Sequence, residues 1–173
     1  MAKIVCNLAS SVDGFIADEN GGVDWLNDFQ AEDYGMMEFF EQCGTVIMGS
    51  RTYEQALAFN SWFGKMEGVV FTSRQLPPFN NEIINFVSGD PVPVVDELRK
   101  KEKDNWLVGG GQLITSFIDL DLLDELIITL IPRLLGRGLT LCPSIDAISM
   151  LQLLDSKIFN DGVVQLRYGL LRR

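Results

Sequence analysis

Apolar and polar positions alternate along the chain with two periods, and the switch between them predicts its elements. Residues 3–9 are β-branched and apolar and predict a central strand; residues 15–17 form a short apolar piece after Val12-Asp13-Gly14. Residues 18–28 are polar, with Gly21-Gly22 and one aromatic, Trp25. A connection this long in a compact domain is functional or mobile, or else a surface crossing with Trp25 plugging the core edge. Residues 31–43 predict a helix whose apolar face is Met36, Met37, Phe39 and Phe40, with Glu32 and Asp33 near its positive end. Residues 45–48 predict a buried strand, and residues 51–57 a helix with Ser50 as N-cap. Strands follow at 68–72 and 83–87, then an exposed helix at 94–103 with Asp96/Lys100 and Glu97/Lys101 in the favourable acid-first spacing. Residues 123–131 are strongly apolar, and residues 151–159 and 163–171 flank Asn160-Asp161-Gly162 as a hairpin. The order β-α-β-α-β-β-α-β-α-β plus a hairpin predicts an α/β three-layer sandwich. Its central sheet is mostly parallel, is covered by helices on both faces, and carries an antiparallel C-terminal edge.

One stretch breaks the pattern. The apolar run Asn105-Trp106-Leu107-Val108 stops at Gly109-Gly110-Gly111, and a helix pattern starts at Gln112-Leu113. Three side chains are missing where a strand feeds a helix N-terminus. Such a turn presents free N–H groups and partial positive charge to an anion, or is simply tight. Gly49-Ser50-Arg51-Thr52 repeats the arrangement after the second strand, and Thr72-Ser73-Arg74 follows the third. Open α/β sheets bind ligands at the carboxyl ends of their strands. Two such turns suit the two ends of a dinucleotide's phosphates. Arginines beside Ser/Thr clusters suit a ribose 2′-phosphate, favouring NADP over NAD; the plain alternative for Arg51 and Arg74 is surface charge. Neither turn has the G-x-G-x-x-G spacing of the Rossmann fingerprint.

Composition narrows the chemistry. At 173 residues and 47% hydrophobic, the chain is long enough for one domain with a real core, spanning residues 1–173. There is no histidine, so His-based triads and His-dependent metal sites are excluded. Three cysteines without C-x-x-C spacing argue against a zinc site and against disulfides. A net charge of −10 argues against nucleic acid as a partner. No apolar run reaches the roughly 20 residues that span a bilayer, and the first residues go straight into a strand pattern, so the expectation is a cytoplasmic protein without membrane contact.

The blocks Val46-Ile47-Met48-Gly49-Ser50-Arg51-Thr52-Tyr53-Glu54, Val108-Gly109-Gly110-Gly111 and Val12-Asp13-Gly14 resemble the signature blocks of dihydrofolate reductases. More closely, they resemble the reductase (RibD C-terminal) domain of the bacterial riboflavin-biosynthesis deaminase/reductase and its stand-alone relatives. Asp24-Trp25-Leu26 and Leu135-Gly136-Arg137-Gly138 are like the stand-alone group in particular. The resemblance runs from Lys3 to about Leu171. It implies NADPH-dependent hydride transfer to a C=N or similar acceptor on a small molecule. It further implies a cis peptide at Gly109-Gly110 that brings bare backbone to the nicotinamide end and the pyrophosphate. The nucleotide would meet Ala9, Gly49, Ser50, Arg51, Thr52, Thr72, Ser73, Arg74, Val108, Gly109, Gly110, Gly111, Gln112 and Leu113. The substrate would meet Asn7, Val12, Asp13, Trp25 and Met37.

The resemblance also implies a carboxylate near the start of the first helix, bonded to a strand threonine. Gapless counting back from Val46-Ile47-Met48-Gly49 places Asp33 at the first position, and Thr129, in Ile127-Ile128-Thr129-Leu130, matches the threonine. Buried beside substrate, such an acid would have a raised pKa and relay a proton; the alternative is that Asp33 only complements the helix dipole. Ser50 stands where the family carries arginine. A non-catalytic nucleotide-binding module on the same fold is the competing functional reading. The apolar hairpin is either a homodimer interface or the edge of the core.

Overall fold

A computed structural model describes residues 1–29, 32–146 and 148–172. Ten strands and four α-helices run in the order β1 (Ile4–Ser11), β2 (Phe15–Ala17), α1 (Met36–Gln42), β3 (Cys43–Gly49), α2 (Ser50–Phe59), β4 (Glu67–Phe71), β5 (Ile84–Val87), α3 (Val92–Leu98), β6 (Asp104–Gly109), α4 (Gly111–Asp119), β7 (Glu125–Ile131), β8 (Leu139–Thr140), β9 (Leu151–Ile158) and β10 (Val164–Leu170). Eight strands form one sheet in the order β5-β4-β3-β6-β1-β7-β10-β9. The β5 to β7 portion is parallel, while β10 runs antiparallel to both β7 and β9. The predicted sandwich with its antiparallel C-terminal edge is the observed one.

The layers follow from the apolar faces. On one side Val95 and Leu98 of α3 and Ile114, Phe117 and Ile118 of α4 pack on Ile4, Cys6, Ile47 and Leu107. On the other, Phe39 of α1 and Tyr53 of α2 pack on Val5, Val46, Met48 and Trp106. The inner strands read as continuous apolar runs because helices cover both of their faces.

Several boundaries differ from the sequence reading. The first helix begins only at Met36, after the left-handed Tyr34 and Gly35, so Glu32 and Asp33 precede it; Ala31 lies outside the described residues. Met37, predicted to face inward, is exposed, and Phe39 carries the contact instead. Helix α2 is capped by Gly49, and Ser50 is its first residue. The helix predicted at 94–103 ends at Leu98, which takes Lys100 and Lys101 off the helical repeat. Lys100 therefore pairs with Glu97, and Lys101 with Glu67 on β4.

The short β2 lies outside the main sheet and pairs with β8 as a separate ribbon. Asp13 clamps this ribbon's base. Its carboxylate accepts from the Ser11 hydroxyl at 2.6 Å and from the Gly136 and Leu135 N–H groups at 2.7 and 3.1 Å.

Candidate active site

The carboxyl ends of β4, β3 and β6 lie in a row, since Gly49 pairs with Phe71 and Met48 with Gly109. From that row α2 and α4 both start, capped by Gly49 and Gly110 in extended conformation, and neither N-terminus has a side-chain cap. Their first N–H groups point out of the strand ends with no helical partner. Among the described residues, a β-carbon on Gly49 or Gly110 would meet nothing within 4 Å, so open space lies against both turns. Gly111 is glycine for the opposite reason. Its β-carbon would sit 2.6 Å from the Thr140 carbonyl oxygen and 3.1 Å from that of Leu141, because the β2–β8 ribbon lies against the start of α4. Gly109 adopts φ +131, a backbone region that side chains rarely enter. The Gly109-Gly110 peptide is cis, the geometry the resemblance implies.

The structure thus brings together Gly49, Ser50, Arg51 and Thr52 at one turn and Val108, Gly109, Gly110, Gly111, Gln112 and Leu113 at its neighbour. Thr72, Ser73 and Arg74 follow β4 beside the first of these. The Thr72 hydroxyl accepts from the Arg74 N–H at 3.0 Å, which tightens the corner. Arg74 is not a free cation: its two terminal nitrogens donate to both Glu54 oxygens at 3.0 and 2.9 Å. That pair holds the Glu54 carboxyl below its usual range, with Arg51 adding to the effect. The loop 18–22 reaches the same region, where the Gln55 amide of α2 donates to the Gly21 carbonyl at 2.7 Å.

The residues expected around substrate separate into two groups. Asn7 is buried on β1, its amide 3.6 Å from the Met36 sulfur and its carbonyl accepting from the Trp106 indole at 2.9 Å. Ala9 pairs with Thr129 of β7 and borders a cluster of Trp25, Ile131 and Val163. Trp25 is buried there with no partner for its indole nitrogen among the described residues. Val12 and Met37 are exposed, and the acceptors of Asp13 are taken up by the ribbon clamp.

Asp33 does not have the burial or the raised pKa expected of an acid held beside substrate. It is exposed, and it accepts from the N–H groups of Met37 at 3.1 Å and Gly35 at 3.2 Å. Those bonds favour the ionised form and lower its pKa. Thr129 is buried, but its hydroxyl accepts from the Gln165 amide at 2.9 Å rather than meeting Asp33. The same amide donates to the Tyr34 carbonyl at 3.0 Å, so Gln165 ties β7, β10 and the start of α1 together. No periodicity or motif marks Gln165 or Gln55; both act through loops whose positions only the fold reveals. Among the described residues, the pKa values of Asp13, Asp33, Glu54, Glu125 and Asp161 are all displaced downward. Tyr34 is pushed up to about 12, chiefly by burial and then by its bond to Asp161.

A cavity of about 80 Å³ lies behind α1, bounded by Asn7, Tyr34, Glu38, Gln165 and Arg167. None of its lining residues belongs to the two glycine turns, so it is distinct from the space those turns face. Among the described residues, no group of His, Cys, Asp and Glu could hold a metal ion, and no helix is long and apolar enough to cross a membrane.

Residues 2–165 match the RibD C-terminal domain. The chain belongs to this family. It is 33% identical over 169 residues to the uncharacterized protein YwjB of Bacillus subtilis (strain 168), covering 96% of this chain and 97% of that one. A Shewanella sp. PV-4 protein, named provisionally for riboflavin biosynthesis, superposes with a TM-score of 0.87 at 30% identity, covering 99% of this chain and 100% of that one. An Enterococcus faecalis dihydrofolate reductase, solved with NADP(H), shares the fold at a TM-score of 0.69 and 15% identity, over 97% of this chain and 96% of that one. The family is thus that of the RibD C-terminal domain, and the fold is the one seen in dihydrofolate reductase.

Proposed function

We propose that the chain is a reductase that binds NADPH across the Gly49 and Gly110 turns and delivers hydride to a C=N-type acceptor. The acceptor class would be that of 5-amino-6-(5-phosphoribosylamino)uracil reductase or of a related pterin or pyrimidine reductase. One observation carries this reading: two uncapped helix N-termini open side by side onto space left free by glycine. The enterococcal reductase of the same fold is described with NADP(H), which supports the choice of nucleotide.

The residues present fit such a group. The N–H groups of residues 50–52 and 111–112 would take the pyrophosphate oxygens. Arg51, with Thr72, Ser73 and Arg74, would border the adenosine ribose. Gly109, Gly110 and Ala9 would let the nicotinamide lie flat against backbone. When bound, NADPH supplies the hydride. The chain's contribution is to hold donor and acceptor in near-attack geometry and to exclude water with the β2–β8 ribbon.

In this reading Asp33 positions the start of α1, and the proton reaching the reduced nitrogen comes from solvent. Asp33→Asn is then expected to keep nucleotide affinity and to change kcat by less than about threefold, since proton donation by a placed acid contributes roughly 10²–10⁴-fold. A hundredfold fall in kcat at unchanged affinity would restore Asp33 as the acid. The assay is NADPH oxidation against a panel of pterins, pyrimidines and cyclic imines. A non-catalytic nucleotide-binding module is the second reading, favoured by the exposure of Asp33 and its bonds to backbone N–H groups. NADPH binding with no oxidation across that panel would select it.

The hairpin suits a homodimer. Leu151, Leu153 and Ile158 of β9 share a face with Val164, Leu166, Tyr168 and Leu170 of β10, and all eight residues of β9 are exposed. An exposed apolar edge strand is a template for pairing. Sedimentation at micromolar concentration is expected to give twice the chain mass, and Leu153→Lys, which puts a charge on that face, is expected to give the monomer.

A further inference from the structure

The 2′-phosphate corner of the proposed nucleotide site contains a carboxylate, Glu54, beside its two cations. Glu54 lies one helical turn beyond Ser50 on α2, and it grips Arg74 through both terminal nitrogens. Arg51 contributes to the field on the same carboxylate. Two cations therefore share one anion, and the corner carries a net charge of about +1 rather than +2. A phosphate monoester brings roughly −1.5 to −2 at neutral pH. It would have to share Arg74 with Glu54, whose grip leaves the guanidinium three N–H groups, and it would lie beside that carboxylate. A bare ribose has no such conflict, because its 2′-hydroxyl can donate to the carboxylate, as acidic residues accept from NAD ribose elsewhere.

We infer that Glu54 sets nucleotide selectivity at this corner: by holding Arg74 it weakens recognition of the 2′-phosphate, so the chain accepts NADH nearly as well as NADPH. The inference rests on the nucleotide-binding reading above and adds to it a residue that works against NADPH. Selectivity built from a repulsive group has a clear signature, since deleting the group sharpens the preference instead of blunting it. A carboxylate that merely props Arg74 toward the phosphate would behave in the opposite way.

The experiment is calorimetric titration of the full chain with NADPH and with NADH, for the native protein, Glu54→Gln, Arg74→Gln and the double variant. Both side chains are about half exposed, so the variants are expected to fold, and thermal melts check this. The native protein is expected to bind the two nucleotides within about threefold of each other. Glu54→Gln is expected to raise the NADPH-to-NADH affinity ratio about tenfold, and adding Arg74→Gln to erase that gain. A ratio unchanged or lowered in Glu54→Gln overturns the inference and leaves nucleotide binding standing. Failure of every form to bind either nucleotide overturns the binding reading itself, and this inference with it.

Discussion

Gly49→Val is expected to fold as the native chain does and to lose nucleotide affinity by about a hundredfold, roughly 2.7 kcal/mol. Residue 49 has φ −84 and ψ 169, an extended conformation that valine adopts without strain. Its new β-carbon would meet no protein atom within 4 Å. Valine is a poorer N-cap than glycine, at a cost of about 1 kcal/mol or less, which lowers Tm by roughly 2–4 °C for a domain of this size. The volume it takes up is the volume the proposed pyrophosphate occupies. Gly111→Ala makes the contrast. Its β-carbon would run into the Thr140 and Leu141 carbonyl oxygens, so it is expected to unseat the β2–β8 ribbon and to lower stability and affinity together. Parallel thermal melts and nucleotide titrations of the two variants separate a glycine kept for a ligand from one kept for packing.

The largest expected effect on stability is at Glu125. This carboxylate begins β7 and is buried between Lys3 Nζ, at 2.6 Å, and Arg167, whose Nε and Nη2 lie at 2.6 and 2.5 Å. Burial raises its pKa, but the bonds from Lys3 and Arg167 outweigh burial, and the net displacement is downward. Removing one partner of a buried pair costs roughly 3–5 kcal/mol. Lys3 and Arg167 are themselves 50% and 40% exposed and can return to water, so Glu125→Ala is expected to cost about 2 kcal/mol at pH 7. A carboxyl whose folded pKa lies below its unfolded value stabilises the fold above the unfolded pKa. That contribution disappears as pH falls through the folded pKa. The difference between native and Glu125→Ala proteins in urea unfolding is therefore expected to be full at pH 7 and to shrink as pH drops below about 4. A difference that is constant with pH would mean that packing, not charge, accounts for it.

What could be read from the chain was what local chemistry determines. The alternation of apolar runs with glycine-broken turns fixed the element order, and the order fixed a parallel sheet with an antiparallel edge, since crossovers admit few alternatives. The paired turns at Gly49 and Gly110 were legible because missing side chains show directly in a sequence. Contacts made by long polar side chains across the fold were not legible. Arg74 was read as a cation beside a ribose 2′-phosphate or as surface charge, and nothing local shows that Glu54, twenty positions away, meets it from a neighbouring helix. Asp33 was read either as an acid buried beside substrate or as one that only complements the helix dipole; the left-handed residues Tyr34 and Gly35 delay the helix and turn its carboxylate onto two backbone N–H groups. Thr129 was expected to face that acid, and Gln165 reaches it first. In each case burial and partner depend on where a distant element lands, and no local pattern records that.

The central claim is that the space facing Gly49 and Gly110 holds a reduced nicotinamide nucleotide. Its most direct test is titration of the purified chain with NADPH, following quenching of tryptophan fluorescence and the shift in melting temperature. Saturable quenching at micromolar nucleotide and a Tm that rises with nucleotide concentration are expected, both lost in Gly49→Val. Absence of quenching and of any thermal shift at millimolar NADPH and NADH would contradict it.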